Sequence, residues 1–229
     1  MSLVEKRLPG RPPDEALQQR RREAILKQAA QLFAKHGFAD TDVQWIADAL
    51  SISKGTIYRY FPSKEKLFLA AVQRGVNRMR QHINAARQGA SDNIDKIRAA
   101  VTAYLQFFQK NPELVELFIQ ERAVFKGRRP SVYFLDRASR RGPAREHLAG
   151  LLAEGRIRSM PLERIIDVLG DVLYGTMFTN HFAGRRKPFI AQAQDVLDVV
   201  FNGILSAEER SREAASFSGN NHGRRRTSG

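Results

Sequence analysis

Within TDVQWIADALSISKGTIYRYFPSKEK, residues 41–66, cationic, hydroxyl and amide side chains alternate with apolar ones at helical spacing. Lys54 is suited to donate to guanine O6 or N7, or to a phosphate. Thr56 can offer a hydroxyl to a phosphate or a methyl to thymine. Tyr60 and Lys64 suit phosphate oxygens, Arg59 adds a cation, and Gln44 can reach a base edge or a phosphate from just upstream. Gly55 has no side chain, and glycine inside a helix costs about 1 kcal/mol relative to alanine, so close approach to DNA is a positive reason for it. This chemistry is polyanion binding and base reading. Catalytic chemistry is not expected: His36, His82, His147, His181 and His222 show no metal-ligand spacing, and no HExxH, glycine-rich phosphate loop or nucleophile elbow occurs. The chain has no cysteine, which excludes disulfides, thiolate chemistry and cysteine-held zinc. No enzyme activity, metal or cofactor is therefore expected.

These side chains work only if short helices aim them. Asp42 is a suitable N-cap for a helix whose apolar face is Val43, Ile46, Ala47 and Leu50. Ser51-Ile52-Ser53 breaks the pattern. Ser53 then caps a second helix closed by Ile57, with Tyr58 and Phe61 assigned to its inner side. Pro62 and Ser63 end it, and Ser63 opens a third helix. Two helices of about two turns across such a break form a helix-turn-helix unit. Trp45 has two open readings, a surface cover or a phosphate contact.

A preceding helix over Glu15–His36 buries Ile25, Ala29, Leu32 and Phe33 and ends at Gly37. Arg20-Arg21-Arg22 on it is placed to touch phosphates. Residues 1–14, rich in proline and glycine, are expected to be a flexible basic arm. Its Gly10-Arg11-Pro12 resembles the core of an AT-hook, so Arg11 is a candidate for the minor groove. The third helix runs towards Arg87, and residues 15–88 form the expected DNA-binding domain.

The chain has 229 residues and a formal net charge of +14, so an anionic partner is expected. The N-terminus MSLVEKRLPGRPP has no apolar core, and no apolar run approaches the roughly 18 residues of a membrane span. A cytoplasmic setting without membrane contact is the expectation. Bulk charge adds little to the DNA reading: residues 1–66 hold 12 Lys/Arg against 8 Asp/Glu.

Three segments resemble the TetR/AcrR family of one-component transcriptional regulators. They are AAQLFAKHGF (29–38), VQWIADAL (43–50) and SKGTIYRYFPSKEKLF (53–68). The resemblance covers roughly residues 20–70. It implies that the region beyond about residue 90 binds an effector and dimerises, without saying which effector.

That region, residues 89–206, reads as helical throughout, giving an all-α fold of about nine helices with a disordered tail over 207–229. Helices are expected over 92–110, from Pro112, over 131–154 with a kink or division at Gly142-Pro143, over 161–182 and over 187–205. Most of its aromatics are core. Phe107, Phe118, Phe125, Tyr174 and Phe178 are the candidates for an effector pocket between helices, with Met177 as an adaptable wall. Glu121, Asn180 and His181 are placed to orient a polar group. The resemblance assigns the last two helices to a four-helix dimer interface. Ile165, Ile166, Leu169, Leu173 and Met177 are the expected face of one, and Ile190, Val196, Leu197, Val200, Phe201 and Ile204 that of the other. Gly170 and Gly175 would allow close approach. Two recognition helices about 34–36 Å apart could then read a palindromic operator in double-stranded DNA.

The expected function is a sequence-specific homodimeric regulator, a repressor released from its operator by a small hydrophobic effector. The alternatives are a non-specific architectural DNA-binding protein, or an activator on the same scaffold.

Overall fold

The computed structural model describes residues 15–127, 129–185 and 187–202. The arm with Arg11, the tail, and Ile204 and Leu205 lie outside the described residues. Ten helical segments and no strand occur among the described residues. They are α1 (Glu15–His36), α2 (Val43–Ala49), α3 (Lys54–Tyr60), α4 (Lys64–Gln88) and α5 (Asn93–Lys110), followed by α6 (Pro112–Phe125), α7 (Val132–Ser139), α8 (Arg141–Ala153), α9 (Leu162–Ala183) and α10 (Phe189–Asn202).

The first four helices start and stop where local chemistry dictates. Gly37 has φ +87° and donates its N–H to the Phe33 carbonyl at 2.8 Å, closing α1 in a conformation that suits glycine. Asp42 accepts from the Gln44 N–H, Ser53 from Thr56 and Ser63 from Lys66, one cap for each of α2, α3 and α4. Each cap satisfies a backbone donor that the helix itself leaves open. Ile25, Ala29 and Phe33 of α1 meet Ile46 and Ala47 of α2, Ile57 of α3 and Phe68 of α4 in one buried cluster. Phe33 and Phe68 pack edge to face at 5.2 Å.

Helix α4 belongs to this cluster and to the C-terminal bundle. Its Val76, Met79 and Ile83 are buried, and the cluster continues without interruption through α5 and α6 to Leu197 of α10. At Gly75 a Cβ would lie 2.4 Å from Leu114 Cδ1, so α6 can lie against α4 only because that position has no side chain. Gln120 of α6 donates to the Phe33 carbonyl at 2.8 Å, and Phe125 packs on Phe38 and Phe68. The helix-turn-helix domain is therefore mounted firmly on the bundle.

The long helix expected over 131–154 is divided into α7 and α8. The division falls at Arg140, three residues before Pro143, because Pro143 has no N–H for the carbonyl one turn earlier. Read as one bent helix, α7–α8 makes the expected nine. Helix α10 starts at Phe189, after Pro188, rather than at Lys187. A second, smaller cluster of Leu148, Leu151 and Leu162 joins α8 to α9, with Ile165 and Ile166 packed against it.

Candidate nucleic-acid interface

Helix α3 has seven residues, and Ile57 is the one it buries completely. A step of 100° per residue therefore decides which side chains point away from the core. Gly55 and Arg59 are exposed, and a Cβ at Gly55 would meet nothing closer than Ser53 Oγ at 3.8 Å. The glycine keeps this surface low without being required by packing inside the chain.

Tyr58 corrects the expectation that it belongs to the core. It is 39% exposed, because it sits a full 100° step from Ile57, whereas Phe61, one turn on, returns to the inner side. Tyr60 is the more enclosed tyrosine, half-buried against the core, and the Arg59 guanidinium lies 5.9 Å from its ring. The tyrosine that sequence reasoning missed was visible as a phase angle on a two-turn helix.

Tyr58, Lys64 and Asp42 line one shallow depression, with Thr41 and Val43 beside them. Lys54 joins them through an ion pair, Nζ to Asp42 Oδ1 at 2.8 Å. The N-cap carboxylate of α2 thus also holds the first side chain of α3. The Gln44 N–H, and then Lys54, keep the Asp42 carboxyl below its ordinary range, while Asp42 raises the Lys54 ammonium. Gln44 donates its side-chain amide to Asp48 at 2.7 Å. Thr56 shares a hydroxyl contact of 2.9 Å with Ser53. Lys64 donates to the Ala39 carbonyl at 2.7 Å and lies over Phe38, so its stem braces the α1–α2 turn against α4. Trp45 is 44% exposed and packs edge to face on His36. Arg20 and Arg21 are exposed, while Arg22 lies over Phe61. A capped short helix thus presents a glycine, a phenol and cations outward from an apolar anchor. That arrangement can enter a DNA groove.

The candidate pocket residues are not brought together. Phe107, Phe118 and Phe125 are buried in the core, and Phe125 meets Phe38 and Phe68 of the N-terminal domain. Glu121, 2% exposed, is engaged inside the chain. It pairs with Arg129 at 3.0 Å and accepts from the Val132 N–H and Ser131 hydroxyl, fixing the start of α7. Tyr174 and Phe178 pack edge to face on each other, half-buried. Met177 and His181 line a cavity between α5, α6, α9 and α10.

The dimer face expected on α9 is also corrected. Leu169, Leu173 and Met177 pack into the core, and Gly170 makes room for the Arg137 guanidinium, 2.6 Å from where a Cβ would stand. The exposed stripe is Val168, Val172, Gly175, Thr179 and Phe182. On α10, Leu197 is buried, whereas Ile190, Val199 and Phe201 are exposed.

Fold and site together define a helix-turn-helix domain carried on an all-helical bundle. Residues 25–71 match the model of bacterial regulatory proteins, tetR family. The N-terminal domain belongs to that family, and the described chain has the fold of a TetR-family transcriptional regulator. The chain is 31% identical over 100 residues to the HTH-type transcriptional activator FasR of Mycolicibacterium smegmatis, covering 44% of this chain and 46% of that one. It is 25% identical over 114 residues to the nucleoid occlusion factor SlmA of Haemophilus ducreyi, covering 50% and 56%. These alignments span about half the length of each relative. The TetR-family regulator PfmR from Thermus thermophilus superposes with a TM-score of 0.64 at 20% identity, over 80% of this chain and 99% of that one. No described helix is long and apolar enough to cross a membrane.

Proposed function

We propose that the chain is a homodimeric, sequence-specific regulator that binds a palindromic operator through α3 and is released by a small effector held in its C-terminal bundle. It acts in the cytoplasm, as a repressor. The observation that carries this reading is the outer face of α3, where Gly55, Tyr58 and Arg59 stand clear of the core. Lys54, Thr56, Tyr60, Lys64 and Gln44 flank that face and supply base or phosphate contacts. The exposed stripe on α9 supports dimerisation, because its 4-3-4-3 spacing is that of a helix seam.

Selection of bound fragments from a random DNA pool tests this reading. A two-fold site is expected, with half-site centres about one helical turn or a multiple apart. Lys54→Ala combined with Arg59→Ala should abolish selective retention at physiological salt. Recovery of DNA without a consensus, with affinity falling steeply in salt, would instead favour a non-specific architectural role. The likeness to SlmA, named a nucleoid occlusion factor, makes that comparison worthwhile. Activation is the second regulatory reading, since FasR is named an activator. A reporter placed behind the selected site separates the two by the sign of its response.

A further inference from the structure

Between α5, α6, α9 and α10 lies a cavity of about 150 Å³. Its floor is apolar: Leu105, Phe108 and Met177 are buried, and Phe189 adds an aromatic wall. An apolar cavity of roughly this volume accepts a body the size of benzene. A long acyl chain exceeds this volume.

The rim is polar and incomplete. Asn180 donates its amide to Gln192 Oε1 at 2.7 Å, and Gln192 donates in turn to the Lys187 carbonyl at 2.6 Å. This chain orients both amides and leaves Asn180 Oδ1 buried with no donor. A buried acceptor left unpaired costs about 1–3 kcal/mol. His181 is fixed by Glu116, Nε2 to Oε1 at 2.6 Å. Arg185 lines the same opening and makes no ion pair with a described residue. One unpaired guanidinium suits one carboxylate.

We propose that this cavity is the effector site and takes a compact aromatic carboxylic acid. The ring lies on Leu105, Phe108 and Met177. The carboxylate meets Arg185. The assignment of an effector role rests on the regulator reading above; the binding itself does not.

The test is calorimetric titration of benzoate into the full chain, with operator affinity followed by fluorescence anisotropy on the same preparation. Saturable binding at one acid per chain is expected, and Arg185→Gln, at an exposed position, should weaken it about tenfold. Decanoate should give no saturable heat. Absence of binding up to about 10 mM, or binding that Arg185→Gln leaves unchanged, overturns the site. Acid binding without a change in operator affinity overturns the effector role while leaving the DNA-binding reading intact. Acid binding by a chain that selects no DNA sequence upholds the site and defeats the regulator reading instead.

Discussion

Lys54 meets the Asp42 carboxylate, so the proposed contact of Lys54 with DNA has to compete with that pair. The pair is exposed, with side chains 39% and 52% accessible, and solvent screening leaves such pairs weak. The competition is therefore modest. Asp42→Asn keeps the cap acceptor that the Gln44 N–H requires while removing the charge. Affinity for operator DNA should rise about two- to fivefold at low salt, as read by anisotropy, and the gain should shrink in a Lys54→Ala background. An equal gain in both backgrounds would mean that the acid acts only by repelling phosphates. Tyr58 belongs to the same scale. Tyr58→Phe should weaken operator binding without lowering the melting temperature if its exposed hydroxyl serves the DNA, since among the described residues none hydrogen-bonds that hydroxyl.

At the scale of elements, the N-terminal helices were legible because each carries its own punctuation. Gly37, Asp42, Ser53 and Ser63 announce the ends of α1 to α4, and each cap is made as expected. Helix α9 was harder. It is apolar on two faces, Leu169, Leu173 and Met177 inward and Val168, Val172 and Phe182 outward, so periodicity alone cannot say which faces the core. The pocket was illegible for a related reason. Aromatic stripes at helical spacing look alike whether they fill a core or line a hole, and here Phe107, Phe118 and Phe125 fill the core. Side-chain chemistry at an element's start can nevertheless be tested. Glu121→Ala strands the Val132 N–H and the Arg129 guanidinium, and should cost about 1–3 kcal/mol in urea unfolding. Asp92 caps α5 and is clasped by Arg156, which lowers its carboxyl from 3.8 to about 2, with the Ile94 and Asp95 N–H groups adding to the effect. A folded-state value below the unfolded one stabilises the protein above about pH 4, and that contribution disappears as pH falls towards 2. Asp92→Asn should flatten the melting temperature across that window relative to the parent chain.

At the scale of the whole molecule, the proposed reading of an operator requires two copies of α3 on one face of a duplex, and the exposed stripe of α9 is the surface proposed to pair them. Val168, Val172, Gly175, Thr179 and Phe182 follow one another at alternating steps of four and three, and Phe182 is 70% exposed. Thr179 gives its hydroxyl to the Gly175 carbonyl at 2.8 Å, which leaves its methyl group for packing. A Cβ at Gly175 would meet nothing within 4 Å, so this part of the helix is open to close approach by another. One flank of the same helix is held by Arg137, which bonds Asp171 at 2.8 Å and the Asp167 carbonyl at 3.1 Å. The seam is therefore presented on a fixed support. Val172→Glu places a carboxylate in the middle of that seam without touching the core. Sedimentation should show a monomer with unchanged helical content by circular dichroism. Operator affinity should fall by about a hundredfold or more, because linked half-sites gain that much from effective concentration. A variant that stays dimeric would place the interface elsewhere, most directly on Ile190 and Phe201 of α10, and the same substitution made there would then be the one to separate the subunits.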